Sequence, residues 1–190
     1  MNRDHVPHNF SILLLEDMPT DAVLISRIIR KKFPAAQIEV ANDQQSYERL
    51  LNDSSFDIIL SDFSIPGYSG IDALVLARTI SPDVPFVYVT GTLNDEELVA
   101  RAILRGATGY VLKQNLRRLP SVMTEAIMRK SAAREKARQR AALLQRQELL
   151  LTNLRTLLGG ANLPRQSEMI ATIDQLLDAD GKSAISNFAG

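Results

Sequence analysis

The chain has no cysteine among its 190 residues. Disulfides, thiolate catalysis and cysteine-ligated zinc are therefore excluded together. Histidine is almost as scarce: His5 and His8 are the two present, both in a polar N-terminal arm, residues 1–9. No stretch approaches the roughly 18 consecutive apolar residues of a membrane span. Arg3, Asp4, His5 and His8 occupy the place a signal-peptide core would need. A cytoplasmic protein without membrane association is the expectation. With 45% hydrophobic residues and a formal net charge of zero, the composition is that of an ordinary globular protein. Carboxylates remain as the reactive groups.

The zero net charge conceals a division. Residues 1–113 hold 10 Lys and Arg against 15 Asp and Glu, residues 114–158 hold 10 against 3, and residues 159–190 hold 2 against 4. Composition alone puts a boundary near residue 114. Before it, short apolar runs alternate with helical periodicity. Strands are predicted at Phe10–Leu15, Ile38–Ala41, Phe56–Ser61, Phe86–Thr90 and Ala107–Leu112. Helices are predicted between them: one opened by Pro19, one capped by Asn42 or Asp43, one through Ile71–Ile80, and one opened by an Asn94–Glu97 capping box and stopped by Gly106. Strands that read as unbroken apolar runs between helices imply a parallel sheet covered on both faces, an α/β doubly wound fold.

From Asn115 the pattern becomes one long helix, with no Gly or Pro between Ser121 and Leu158. Its 4-3 spaced positions are Leu119, Met123, Ala126, Lys130, Ala133, Ala137, Arg140, Leu144, Gln147, Leu151, Leu154 and Leu158. Nine of these twelve are apolar, so the helix has a seam that can pair with a second copy. Gly159-Gly160 ends it. A short amphipathic helix capped by Ser167 and stopped by Asp180-Gly181 follows, then a tail. The resulting division is an arm at 1–9, an α/β domain at 10–128, an extended coiled-coil-like helix at 129–158, and a short helix and tail at 159–190.

In such a sheet, ligands sit at the carboxyl ends of the strands. Four polar clusters reach that edge: Glu16-Asp17, Asp62, Thr90 and Lys113. Carboxylates held this close repel, by about 4 kcal/mol for a pair at 4 Å and an effective dielectric of 20, so a cation must join them. Hard oxygen donors suit a divalent ion, magnesium better than calcium. A strand-end carboxylate beside a metal can take a phosphoryl group. The metal and Lys113 would neutralise its equatorial oxygens, and the Thr90 hydroxyl could bond one of them. Asp62 is thus a candidate phospho-acceptor.

The pattern resembles the receiver domain of two-component response regulators, over roughly Phe10 to Leu116 or somewhat beyond. Glu16 and Asp17 match the family's acidic pair, Asp62 its phospho-acceptor, Thr90 its switch hydroxyl, Tyr110 its switch aromatic and Lys113 its lysine. Pro66-Gly67 and Gly70 match the loop after the acceptor. The resemblance implies a five-stranded parallel sheet of order 2-1-3-4-5, a flavodoxin-like fold. It also implies magnesium held by Asp17, Asp62 and the backbone carbonyl of Ser64, with Glu16 acting through water, and a histidine kinase or phosphotransfer protein as donor. Two positions depart from the family: Gln114 follows Lys113 where a cis proline is usual, and Ile65 stands where methionine is common.

The expected function is a receiver that accepts a phosphoryl group on Asp62 and signals through a dimerising C-terminal helix, with no catalytic turnover of other substrates. The chief alternative is the N-terminal part of a longer regulator with an output domain beyond Gly190. A phosphatase with an aspartyl-phosphate intermediate fits less well, since haloacid-dehalogenase-like enzymes carry a second Asp where Ser64 stands. A flavin module is disfavoured by the acidic loop after the first strand. The basic run Arg129–Arg140 lacks a recognition helix and interleaved aromatics, so it reads as a solvated helix face and nucleic-acid binding is not expected. No His follows residue 113, which excludes a kinase's phospho-accepting helix from that region.

Overall fold

A computed structural model describes residues 10–91, 102–160 and 164–186, the last nine of these by backbone alone. The chain divides into two compact units, Met1–Ala132 and Ala133–Gly190.

The first unit is built on five strands, the central three of them buried runs: β1 (Ser11–Leu15), β2 (Gln37–Ala41), β3 (Ile58–Ser61), β6 (Phe86–Thr90) and β7 (Gly109–Leu112). They form one sheet in the order β2-β1-β3-β6-β7, every pairing parallel. Strands β4 (Ser64–Ile65) and β5 (Tyr68–Ser69) are a separate antiparallel hairpin. With that hairpin set aside, the sheet has the expected 2-1-3-4-5 order.

Alternation sorts the core into two layers. Ile12 and Leu14 of β1 and Val87 and Val89 of β6 face one side, against Ile25 and Ile29 of α1 (Pro19–Lys32). Leu13 and Leu15, with Phe86 and Tyr88, face the other, against Tyr47 and Leu51 of α2 (Gln44–Asp53) and Leu74 and Ala77 of α3 (Gly70–Ile80). Each such buried aliphatic side chain contributes about 1.5–3 kcal/mol. A one-residue slip in a strand would exchange its two faces.

The local signals act as their chemistry predicts. Pro19 sits at the first turn of α1. Asp43, not Asn42, caps α2 in a capping box with Ser46. At Gly106 (φ 95°) the chain leaves a helical stretch at 102–104 through a left-handed turn. There Gly106 N–H donates to Ile103 and Ala107 N–H to Ala102, a glycine-terminated helix end. The expected Asn94–Glu97 box lies outside the described residues. Three strands begin later than expected, at Ser11, Ile58 and Gly109 rather than Phe10, Phe56 and Ala107, and β2 begins one residue earlier, at Gln37.

After β7 the chain turns through a 3₁₀ segment, Lys113–Arg118, broken at Asn115 (φ −129°, ψ 41°), before α4 (Leu119–Gly159) begins. The long helix thus starts four residues later than expected, which places Pro120 in its first turn, where no intrahelical N–H is needed. A larger correction concerns the seam. Leu119, Met123 and Ala126, its first three positions, are buried with Ile127 in the β-sheet core of the first unit. They are occupied by their own domain and unavailable to a second copy.

In the second unit, the C-terminal part of α4 and α5 (Gln166–Ser186) form a helical pair. Arg155 Nε pairs with Asp174 Oδ1 at 2.8 Å, Gln166 Nε2 donates to the Leu158 carbonyl at 2.7 Å, and Ile173 is buried. The turn before α5 puts Arg165 at a left-handed φ of 64°. Helix α5 begins one residue before Ser167 and runs through Asp180-Gly181 to Ser186. The predicted stop is therefore overrun: glycine costs a helix only about 1 kcal/mol. Among the described residues, no helix is long and apolar enough to cross a membrane.

Candidate functional site

The strand registers bring the polar ends together. Leu15 pairs with Ser61, Ser61 with Tyr88 and Thr90 with Leu112, so Glu16-Asp17, Asp62, Thr90 and Lys113 leave the sheet at one edge. Backbone bonds hold the first two turns in place, Glu16 N–H donating to the Ala41 carbonyl and Asp62 N–H to the Leu15 carbonyl, both at 2.9 Å.

Asp62 is buried, and its two carboxylate oxygens have different partners. Oδ1 accepts from the N–H of Phe63 (2.5 Å) and of Ser64 (3.4 Å), while Oδ2 accepts from Lys113 Nζ at 2.7 Å. The loop behind it is shaped by two glycines. Pro66-Gly67, with Gly67 at φ 73°, makes the tight turn between β4 and β5. At Gly70 a Cβ would lie 2.8 Å from the Phe63 Cα, so only glycine fits. Tyr88 Oη donates to the Gly70 carbonyl at 2.8 Å and ties this loop to β6.

Lys113 Nζ stands 2.7 Å from an oxygen of each of three carboxylates: Glu16, Asp21 and Asp62. Asp21 and Asp62 lie on its donor directions. The Glu16 contact is one of charge, since Glu16 Oε2 is buried and has no hydrogen-bond partner. Burial works to lower the pKa of the Lys113 ammonium. Contacts with Asp21, Asp62 and Glu16 outweigh it, and the net shift is upward. For Glu16 burial prevails: its pKa is raised, against the pull of Lys113 and with help from the charge of Asp62. The Lys113–Gln114 peptide is trans, as are all described peptides, and the lysine reaches the carboxylates in that geometry.

Glu16, Asp17 and Asp62 each offer a carboxylate oxygen within 4.8 Å of the others. Three hard oxygen donors, those of Glu16 and Asp62 buried, fit a hard divalent ion such as magnesium. Ser64 opens β4 beside them. Thr90 is buried at the end of β6, and a Cβ at the adjacent Gly91 would lie 4.0 Å from the Lys113 stem. Tyr110 is half-exposed and lines a cavity of about 480 Å³ with Ile103, Val122 and Arg129.

Asp21 is the site residue that sequence reasoning missed. Its signal was available: an acid in the first turn of the helix after β1 begins at the same sheet edge, four residues from Asp17 and one turn above it.

Comparison with known proteins bears on the family and the fold. Residues 12–124 match the family model described as the response regulator receiver domain. The chain is 32% identical over 119 residues to the glycerol metabolism activator of Pseudomonas putida, covering 62% of this chain and 52% of that protein. It is 30% identical over 124 residues to the two-component response regulator ORR42 of Oryza sativa subsp. japonica, covering 65% of this chain and 91% of that one. Among solved structures it resembles the receiver domain of the sensor histidine kinase PA1611 from Pseudomonas aeruginosa PAO1. That receiver has a magnesium ion coordinated in its active-site cleft. The TM-score is 0.55 at 21% identity, covering 63% of this chain and 98% of that one.

Proposed function

The chain belongs to the response regulator receiver family, and from that membership and the geometry around Asp62 we propose that it accepts a phosphoryl group on Asp62. The donor is a histidine kinase or phosphotransfer protein. The observation that carries the reading is Lys113 Nζ at 2.7 Å from Asp62 Oδ2, beside carboxylates spaced to hold a cation. A carboxylate oxygen of Asp62 forms the new phosphorus–oxygen bond as the phosphorus–nitrogen bond of the donor phosphohistidine breaks, its electron pair returning to the imidazole. Asp17, Asp62 and the Ser64 carbonyl would hold magnesium, with Glu16 acting through water. The ion supplies positive charge against the phosphoryl oxygens.

Lys113 is ionised and already directed at Asp62, so it can follow the charge onto the phosphoryl group without reorganisation. Thr90, buried at the neighbouring strand end, donates its hydroxyl to the attached phosphoryl. Tyr110, which its pairing with Tyr88 puts on the same face of the sheet as Thr90, registers that change, and the cavity beside it leaves its ring room to turn. The output is the helical segment after the receiver, which brings two copies together in the cytoplasm. A small phosphodonor with magnesium should raise the intact mass by one phosphoryl group, and Asp62→Asn should abolish the increase. A label that survives in Asp62→Asn places the acceptor elsewhere.

A second reading has a specific support. The chain spans 52% of the glycerol metabolism activator and 58% of the transcriptional regulatory protein YxjL of Bacillus subtilis. In that reading it is the receiver portion of a longer regulator, with the helical segment as the link to an output domain beyond Gly190.

A further inference from the structure

The second unit has very little interior. Among the described residues of 133–177 Ile173 alone is buried, while large apolar side chains stand in solvent. Six of the eight lie along one stripe on each helix, with Leu144 and Leu149 outside it. On α4, Leu143 (66% exposed), Leu150 (56%), Leu154 (50%) and Leu157 (72%) follow a 7-4-3 spacing, which places them along one stripe. On α5, Met169 (45%) and Leu176 (49%) are seven residues apart and flank Ile173.

The Arg155–Asp174 ion pair fixes how the two stripes lie. At 100° per residue, Leu150, Leu154 and Leu157 occupy the flank of α4 turned away from Arg155. By the same rule, Met169 and Leu176 occupy the flank of α5 turned away from Asp174. Both stripes therefore open on the same side of the helical pair, as one continuous apolar face opposite the ion pair.

We infer that this face is covered by the same face of a second copy, giving a four-helix bundle from two hairpins. Charge selects the occupant. Residues 143–159, the part of α4 that carries the stripe, hold two basic and one acidic side chain, residues 166–186 one basic and four acidic. A two-fold axis parallel to the helices lays the basic α4 of one copy on the acidic α5 of the other and buries both stripes at once. An isologous interface of this kind needs a face that carries both signs, whereas a partner of one sign would meet like charge on one of the two helices. The inference takes the pairing of two copies from the proposed function and adds the surface. It replaces the seam that begins at Leu119, whose first three of twelve positions are spent inside the receiver.

The test is light scattering on the full chain without phosphodonor, with phosphoryl incorporation measured in parallel. The expected mass is twice the 21.1 kDa of one chain. Leu150→Glu combined with Leu154→Glu should give a monomer at the same concentration, a weakening of at least about 100-fold, with phosphoryl incorporation unchanged. If that variant loses helicity by circular dichroism, Leu143→Glu decides. Leu143 is two-thirds exposed, so the change removes little contact within the chain, and it should weaken the dimer about tenfold. A monomer for the unaltered chain, a trimer mass, or a dimer indifferent to these substitutions overturns the inference. Failure of phosphoryl incorporation in the unaltered chain overturns the Asp62 reading and leaves the interface standing.

Discussion

Replacing Lys113 with alanine removes the one cation that the described residues place among Glu16, Asp21 and Asp62. At 2.7 Å each contact corresponds to about 6 kcal/mol of gross attraction at an effective dielectric of 20, most of it offset by the cost of dehydrating the ammonium. The measurable quantity is smaller: the penalty of leaving buried Glu16 and Asp62 facing each other unneutralised. Breaking one partner out of a buried pair costs about 3–5 kcal/mol. Because Asp21 is open to solvent and Lys113 partly so, the lower end applies, about 3 kcal/mol, a large share of the roughly 5–15 kcal/mol that stabilises a domain.

The assay is urea unfolding followed by circular dichroism, in chelator and then in magnesium. Without metal, Lys113→Ala should lose that stability. Magnesium should restore more to the variant than it adds to the parent, because the three carboxylates spaced to hold the ion then face it with no internal ammonium to compete. Each tenfold gain in affinity adds about 1.4 kcal/mol at saturation. A variant as stable as the parent in chelator, or magnesium stabilising both equally, would refute the view that Lys113 and the ion neutralise the same charge.

Met123→Ala should destabilise the receiver by about 2–5 kcal/mol, as for any fully buried large-to-small change, yet leave the light-scattering mass unaltered, because Met123 belongs to the β-sheet core. Gly70→Ala forces a Cβ to within 2.8 Å of the Phe63 Cα; it should cost about 1–3 kcal/mol and slow phosphoryl incorporation by displacing the loop that carries Asp62. Burial, with the charges of Glu48 and Asp72, pushes the Tyr68 hydroxyl up to about 12. The fold then favours the neutral phenol, so this contribution is complete below the ordinary value of 10 and is lost as pH rises through about 12. Phenolate absorbance should show a late-titrating tyrosine that Tyr68→Phe removes.

The sheet and its polar edge were legible because two independent signals agree there. Apolar runs such as Ile12–Leu15 and Phe86–Val89 have few structural alternatives when helices separate them, and the acids, threonine and lysine follow those runs directly. The sheet order was available only through the family resemblance, since local patterns do not specify which strands pair. Asp21 was missed for a related reason. It lies in a helix, where an acid near the N-terminus already has a sufficient explanation in the helix dipole, and only the fold shows that this helix end overhangs Lys113.

The long helix shows where periodicity alone fails. A 4-3 spacing reports that a helix has an apolar side, not what covers it, and along α4 the cover changes. Leu119, Met123 and Ala126 pack on the sheet, Lys130 to Arg140 form a largely solvated basic stretch, and Leu151 and Leu158 are half-buried in the second unit. The single seam therefore joins three environments, and its mean pattern describes none of them. The residues that report the unsatisfied face are those just outside it, Leu143, Leu150 and Leu157, which a strict seam counts as surface. An apolar side chain off the seam gains nothing from a two-stranded coil and everything from a second helical layer. That is why their exposure, more than the heptad itself, argues for two hairpins packed face to face.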